Sequence, residues 1–250
     1  MTNTRTNWFD KGGSAYAQFR PEYPTELADY LAALGSARTC AVDVGCGTGQ
    51  LTRLMAGRFD TVLGFDPSAD QIGNAVPVDG VTYGVAPAEA LPLPDHSADL
   101  ITAAQAAHWF DLLAFWTEAR RVAAPGGIVA LISYGVLRLE DEALNARFEE
   151  FYYDEIGPFW PPERKMVDDG YRSIVMPLTE LPPPDLSISL NWNEQAFLGY
   201  LSTWSATRRA SEAGQAQLLN AFPADLSRLW PRGQTVRITW PLNLRIGRVD

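Results

Sequence analysis

The chain has 250 residues, a formal net charge of −10 and an isoelectric point near 4.7. A hydrophobic fraction of 46% with eight tryptophans excludes a disordered polymer, and no apolar run reaches the roughly 18 residues a membrane-spanning helix requires. The acidic balance argues against a nonspecific nucleic-acid binder, because neutralising phosphates takes clustered Lys and Arg.

The first segment, from Met1 to Phe19, is polar and mixed in charge and lacks the apolar centre of a secretory signal. Together with only two cysteines, this predicts a soluble cytoplasmic protein. Cys40 and Cys46 are six positions apart on one extended stretch, too far for a disulfide, and no Cys/His cluster has ligand spacing, so no metal is expected. Pro21 and Pro24 then break any helix and leave residues up to Pro24 as an N-terminal arm. Leu27, Tyr30, Leu31 and Leu34 follow at helical spacing, closed by Gly35.

Cys40 to Val44 reads as a buried strand that runs into Gly45-Cys46-Gly47-Thr48-Gly49-Gln50, after which Leu51, Leu54 and Met55 line a helix face. Thr61 to Asp66 is the second strand, Val81 to Val85 the third and Ala98 to Ala104 the fourth. Leu112, Phe115, Trp116, Ala119, Val122 and Ala123 mark a helix that Pro125-Gly126-Gly127 stops, and Ile128 to Ser133 is a fifth, fully apolar strand. Strand alternating with helix is the pattern of right-handed βαβ units around a parallel sheet.

Beyond Tyr134 the pattern changes to a helix at Leu144 to Tyr152 and then to proline-rich stretches. Residues 186–192 alternate as a sixth strand, a helical stretch runs from Asn193 to about Trp230, and Val236 to Ile246 alternate as a last strand. Pro241 predicts a bulge or break in that strand, since proline cannot donate to a ladder. The division expected is an arm and cofactor-binding core at 1–135, cap insertions around the sixth strand at 136–233, and a last core strand at 234–250.

A glycine turn at a helix start lets the backbone approach a nucleotide-like ligand and offers it free N–H donors. The dinucleotide fingerprint G-x-G-x-x-G requires a third glycine where this chain has Gln50. Gly45-x-Gly47-x-Gly49, preceded by Asp43 and followed 21 residues after Gly45 by Asp66 at a strand end, instead resembles the first motif of class I S-adenosylmethionine-dependent methyltransferases. The resemblance covers roughly Cys40 to Ser133. It implies an α/β, Rossmann-like class I methyltransferase fold with a seven-stranded, mainly parallel sheet, an antiparallel last strand and a helical cap. It also implies S-adenosyl-L-methionine as cofactor, with Gly45, Cys46, Gly47 and Gly49 under the methionine and ribose and Asp66 accepting both ribose hydroxyls. A carboxylate suits that work because two oxygens can accept two donors with charge assistance; the structural alternative for Asp66, ahead of Pro67, is a helix cap.

Asp43 lies in an apolar strand, where an unpaired carboxylate is costly, so it needs backbone or ligand donors near the turn and is expected close to the methionyl end. Ala86-Pro87-Ala88-Glu89-Ala90-Leu91-Pro92 resembles the family's adenine-side loop, but Pro87 stands where an acidic residue is common, which shifts the adenine contact to Ala88 and Glu89. Gln105 to Asp111, including His108 and Trp109, matches the position where the family faces methyl group and substrate. Tyr16-Ala17-x-x-Arg20-Pro21-x-Tyr23-Pro24, His108-Trp109-Phe110 and Thr203-Trp204-Ser205-Ala206 are similar to the small-molecule branch that includes the trans-aconitate methyltransferases. That likeness implies an arm carrying Tyr16 and Arg20 over the cofactor, and a small-molecule acceptor. His108 reads either as a general base or as a pocket wall with Trp109. A carboxylate acceptor needs no base, being already ionised. It needs a cationic clamp, for which Arg20, Arg164, Arg172, Arg208 and Arg209 are candidates, Arg20 first.

Overall fold

The computed structural model describes residues 20–250, so the part of the arm carrying Tyr16 lies outside the described residues. Helix α1 (Thr25–Leu34) buries Leu27, Ala28, Leu31 and Ala32 and ends at Gly35. The core then alternates as read: β1 (Cys40–Val44), α2 (Gln50–Met55), β2 (Thr61–Asp66), α3 (Ala69–Gly73), β3 (Val81–Val85), β4 (Ala98–Ala104), α4 (Leu112–Val122) and β5 (Ala123–Tyr134). These five strands pair in parallel in the order β3-β2-β1-β4-β5. β1 and β5 are apolar because both sheet faces are covered: Val42, Val44 and Leu131 face the α4 side with Phe115, while Ala41, Ile132 and Leu100 face the α1 side with Leu27. A side chain such as Phe115, fully buried, contributes about 2–3 kcal/mol through that burial. Helix α4 ends where expected, but the strand begins at Ala123, ahead of Pro125-Gly126-Gly127, which sits in an irregularity of the β4–β5 ladder.

The sheet has nine strands, not seven. The added pair, β6 (Arg138–Leu139) and β7 (Thr179–Leu181), are two and three residues long, too short for alternation to be read. Both pair with the long final strand β9 (Val236–Arg248). On one edge β9 meets β5 and then β6; on the other it meets β7 and then β8 (Ser187–Trp192), the expected sixth strand. Residues 136–233 are therefore not purely a cap, since β6, β7 and β8 extend the sheet. β9 runs antiparallel to β5, as expected, but continues through Pro241 without a break. Pro241 faces the hand-over between β5 and β6: its carbonyl accepts from Gly135 N, while Leu242 N turns to Leu186 on the other edge. No ladder partner requires the missing N–H there.

The cap proper is α5 (Glu142–Glu150), continued as a π-helical turn at Phe151–Glu155, then α6 (Arg164–Asp168), α7 (Glu194–Ser202), α8 (Ser205–Glu212) and α9 (Ala216–Leu229). Phe148, Phe151, Tyr152, Phe197, Tyr200, Trp204 and Phe222 join it to β9 in one apolar cluster. Arg147 seals the cap's flank, bonded to Glu155 and Asp225 and placed 4.9 Å over the Phe222 ring. Cys40 and Cys46 are both free thiols. Among the described residues no helix is long and apolar enough to cross a membrane, and no group of three His, Cys, Asp or Glu gathers as a metal site.

Candidate functional site

The carboxyl ends of β1, β2 and β4 converge on the glycine turn. Gly45, Gly47 and Gly49 all have positive φ, at 68°, 55° and 84°, but they do different work. A Cβ on Gly45 would fall 2.5 Å from Ala106 Cβ, and one on Gly49 would strike the Tyr83 ring at 2.7 Å. Those two glycines permit close packing of β4 and β3 around the turn. On Gly47 the nearest atom to such a Cβ would be Gln71 Oε1 at 3.7 Å. Gly47 is therefore the open floor of the cradle, where a ligand can lie against bare backbone. Gly49 is also the N-cap of α2, so the turn delivers that helix's first amides toward the same place.

Asp66 ends β2 with its two oxygens shared: Oδ2 accepts from Gly47 N at 2.9 Å and Oδ1 from Ser68 N at 2.8 Å. The cap of α3 is Ser68, whose hydroxyl accepts from Gln71 N, so Asp66 is not consumed as a helix cap. Each carboxylate oxygen keeps a lone pair for a further donor. Burial raises the carboxyl's pKa, with the two amide bonds working against the shift. A charge-bearing acceptor of two hydroxyls, beside bare glycine backbone and the buried, unbonded Thr48 Oγ1, fits a nucleoside ribose with an attached chain.

Asp43 finds its donors in two threonines, with the Thr52 main-chain amide also acting on the carboxylate. Its carboxylate is buried and accepts from Thr52 Oγ1 at 2.7 Å and Thr102 Oγ1 at 2.8 Å, so it clasps α2 and β4 together beneath the turn. Burial pushes its pKa up to about 6 despite both hydroxyls. Cys46 is buried, with its thiol raised for the same reason, and Pro67 is exposed on the turn after Asp66. Ala88 is buried, whereas Glu89 spends Oε1 on Asp111 N at 2.8 Å, tying the adenine-side loop to the start of α4. That loop, Val85 to Pro92, lines a cleft of about 420 Å³ with Glu118 and Arg121.

At the end of β4, Gln105 has φ 54°, a conformation that costs a non-glycine residue about 1 kcal/mol or more and gathers at functional sites. Its amide N donates to Ile132 O and its Nε2 to Tyr134 O, which fixes the turn that follows. In that turn His108 lies beside Trp109, ring centres 4.9 Å apart, with Nδ1 2.9 Å from the Tyr171 hydroxyl. Burial, and secondarily the charge of Arg164, pushes the His108 pKa down to about 3. The imidazole is neutral throughout the range of ordinary assays.

The arginines separate cleanly. Arg20 donates Nη1 to Tyr134 OH at 2.8 Å and sits 5.4 Å over Tyr200, lacing the arm to β5 and the cap. Arg164 opens α6, which packs against the His108 turn. Its guanidinium stacks 4.6 Å over Trp160 and 5.8 Å over Tyr152, and Nε donates to Asp168 Oδ1 at 2.9 Å. The Tyr152 hydroxyl, which donates to the same Asp168 Oδ1, also accepts from this guanidinium. Arg172 is exposed, and Arg208 and Arg209 lie on α8, half-buried. Tyr171, Trp160 and Tyr152 escape sequence reasoning; the one signal available is the density of aromatics between Phe148 and Tyr171.

Residues 42–131 match a family model described as a methyltransferase domain. The chain is 37% identical over 222 residues to a Dictyostelium discoideum protein named as a methyltransferase, covering 86% of this chain and 84% of that one. It is 28% identical over 186 residues to a Saccharomyces cerevisiae protein named as an S-adenosylmethionine-dependent methyltransferase, covering 69% of this chain and 62% of the relative. The solved structure of an Anaeromyxobacter dehalogenans protein described as a type II methyltransferase superposes with a TM-score of 0.85 at 43% identity, over 92% of this chain and 98% of that one. With the glycine cradle and Asp66 at the strand ends, these likenesses identify the fold and its cofactor: the chain belongs to the class I S-adenosylmethionine-dependent methyltransferases.

Proposed function

We propose that the methyl acceptor is a small-molecule carboxylate, and that the chain stands with the small-molecule branch that includes the trans-aconitate methyltransferases. The observation that carries this reading is Arg164: a guanidinium stacked on Trp160, held at Nε by Asp168, and near enough to the His108 turn for its charge to act on that ring. Bound S-adenosylmethionine supplies an electrophilic methyl on a sulfonium sulfur. Gly47, Asp66 and the α2 amides would hold it, and Arg164 with the aromatic lining would orient the acceptor. An ionised carboxylate has no proton to lose, which suits a neutral His108 and leaves alignment and exclusion of water as the work of the chain. The packing of cap helix α6 against the His108 turn favours a small acceptor over a nucleic acid, and the free thiols are in keeping with the cytoplasm.

The test is transfer of labelled methyl to a panel of di- and tricarboxylates, phenols and amines. Labelling of carboxylates, lost in Arg164→Ala, is the expected result. Labelling confined to amines or phenols refutes the reading.

A further inference from the structure

Tyr171 is fully buried, yet its backbone has φ 62°, an outlier for a bulky side chain. Such a conformation persists only where the surroundings impose it, and here they can be named. Arg245 on β9 donates Nη1 to the Tyr171 carbonyl at 2.9 Å and to the Ile174 carbonyl at 3.1 Å. Glu180 on β7 holds Arg245 in turn through Nε and Nη2, at 3.0 and 2.8 Å. The strained loop therefore aims one atom, the Tyr171 hydroxyl, at Nδ1 of His108.

The direction of that hydrogen bond follows from what each atom can do. A buried hydroxyl proton must reach an acceptor. Among the described residues His108 Nδ1 is the one acceptor within hydrogen-bond distance of this hydroxyl, and the main-chain amides of His108 and Ala107 act on the phenol oxygen as further donors. Nδ1 must then be the bare nitrogen, and the proton of a neutral ring sits on Nε2. That nitrogen has no hydrogen-bond partner among the described residues, and His108 is only partly buried, so Nε2–H is left to donate to a ligand.

We infer that Tyr171 is a positioning residue that fixes His108 in its Nε2–H tautomer, so that His108 serves as a hydrogen-bond donor to the acceptor and not as its general base. The inference rests on the carboxylate reading and deepens it: Nε2–H grips the oxygen that does not take the methyl, and the acceptor arrives already ionised. A phenol or amine acceptor would need the opposite tautomer, with a lone pair on Nε2.

The chain has two histidines, which makes the tautomer directly measurable. His96 provides the contrast, because its Nδ1 faces the Ala123 carbonyl at 3.2 Å and so carries the proton when the ring is neutral. Long-range ¹⁵N–¹H correlation spectra of the ¹⁵N-histidine-labelled full chain at pH 8, assigned with His96→Asn, should show opposite tautomers, Nδ1–H at His96 and Nε2–H at His108. Tyr171→Phe keeps the ring and removes the donor, and should shift the His108 signals toward a tautomer mixture. A bare Nε2 on His108 in the native chain, or a tautomer unchanged in Tyr171→Phe, overturns the inference and leaves the carboxylate reading standing. An Nε2–H tautomer together with a panel in which no carboxylate is labelled overturns the carboxylate reading instead.

Discussion

Asp43 should make the fold less stable as the pH rises, and Asp43→Asn should remove that dependence. Its carboxyl pKa is about 6 in the folded chain against an ordinary value near 3.8, because burial disfavours the ionised form more than Thr52 and Thr102 favour it. A carboxyl that holds its proton more tightly when folded contributes stability that is fully present below the unfolded value and lost as the pH rises through the folded one. Linkage then gives a cost of about 1 kcal/mol at pH 4.5 and about 3 kcal/mol at pH 8. Asparagine has the same shape, and one threonine hydroxyl can rotate to accept from its amide, so both bonds survive without a charge. The stability of Asp43→Asn relative to the native chain should therefore rise by about 2 kcal/mol between pH 4.5 and pH 8. Urea melts followed by circular dichroism across that range, with the two curves subtracted, read this directly, since the other titrating groups cancel in the difference. A difference that stays flat, or runs the other way, refutes the account of Asp43 as a buried clasp.

Asp66→Ala should weaken binding of S-adenosylhomocysteine about 100-fold by calorimetry, the loss expected for two hydrogen bonds to a charged acceptor; an affinity within threefold of native would remove the ribose role. Gly49→Ala should lower stability by about 3 kcal/mol in a denaturant melt, since an L-residue at φ 84° is strained and its Cβ meets the Tyr83 ring. Arg164→Ala should raise KM for a carboxylate acceptor about 100-fold while the Kd of S-adenosylhomocysteine stays within threefold. Equal losses of both would make Arg164 a support of the fold.

The glycine turn and its flanking strands were legible because their determinants are local. Glycine spacing, a strand on each side and Asp66 at the end of β2 lie within 27 residues, from Cys40 to Asp66, and periodicity marks every element among them. Even there, pattern and geometry part at single residues. The sequence shows that Asp43 needs donors but not that Thr52 and Thr102, 9 and 59 positions away, supply them. Three glycines look alike as letters, yet of the three only Gly47 leaves its face free of close packing.

The surroundings of the His108 turn obey a different rule. Arg20 stood out because it sits in a motif, but a motif records a fixed geometry, and the geometry that fixes Arg20 is its own bond to Tyr134 and its seat over Tyr200. Arg164 and Tyr171 lie in a stretch with neither helical nor strand alternation, so nothing local announces them. Their positions depend on polar links such as Arg245 to the Tyr171 carbonyl and Arg245 to Glu180, spanning 74 and 65 residues. The three-residue β7 delivers Glu180 to that link. β7 is therefore part of what holds the Tyr171 loop against the His108 ring, through long-range pairs that no window of sequence contains.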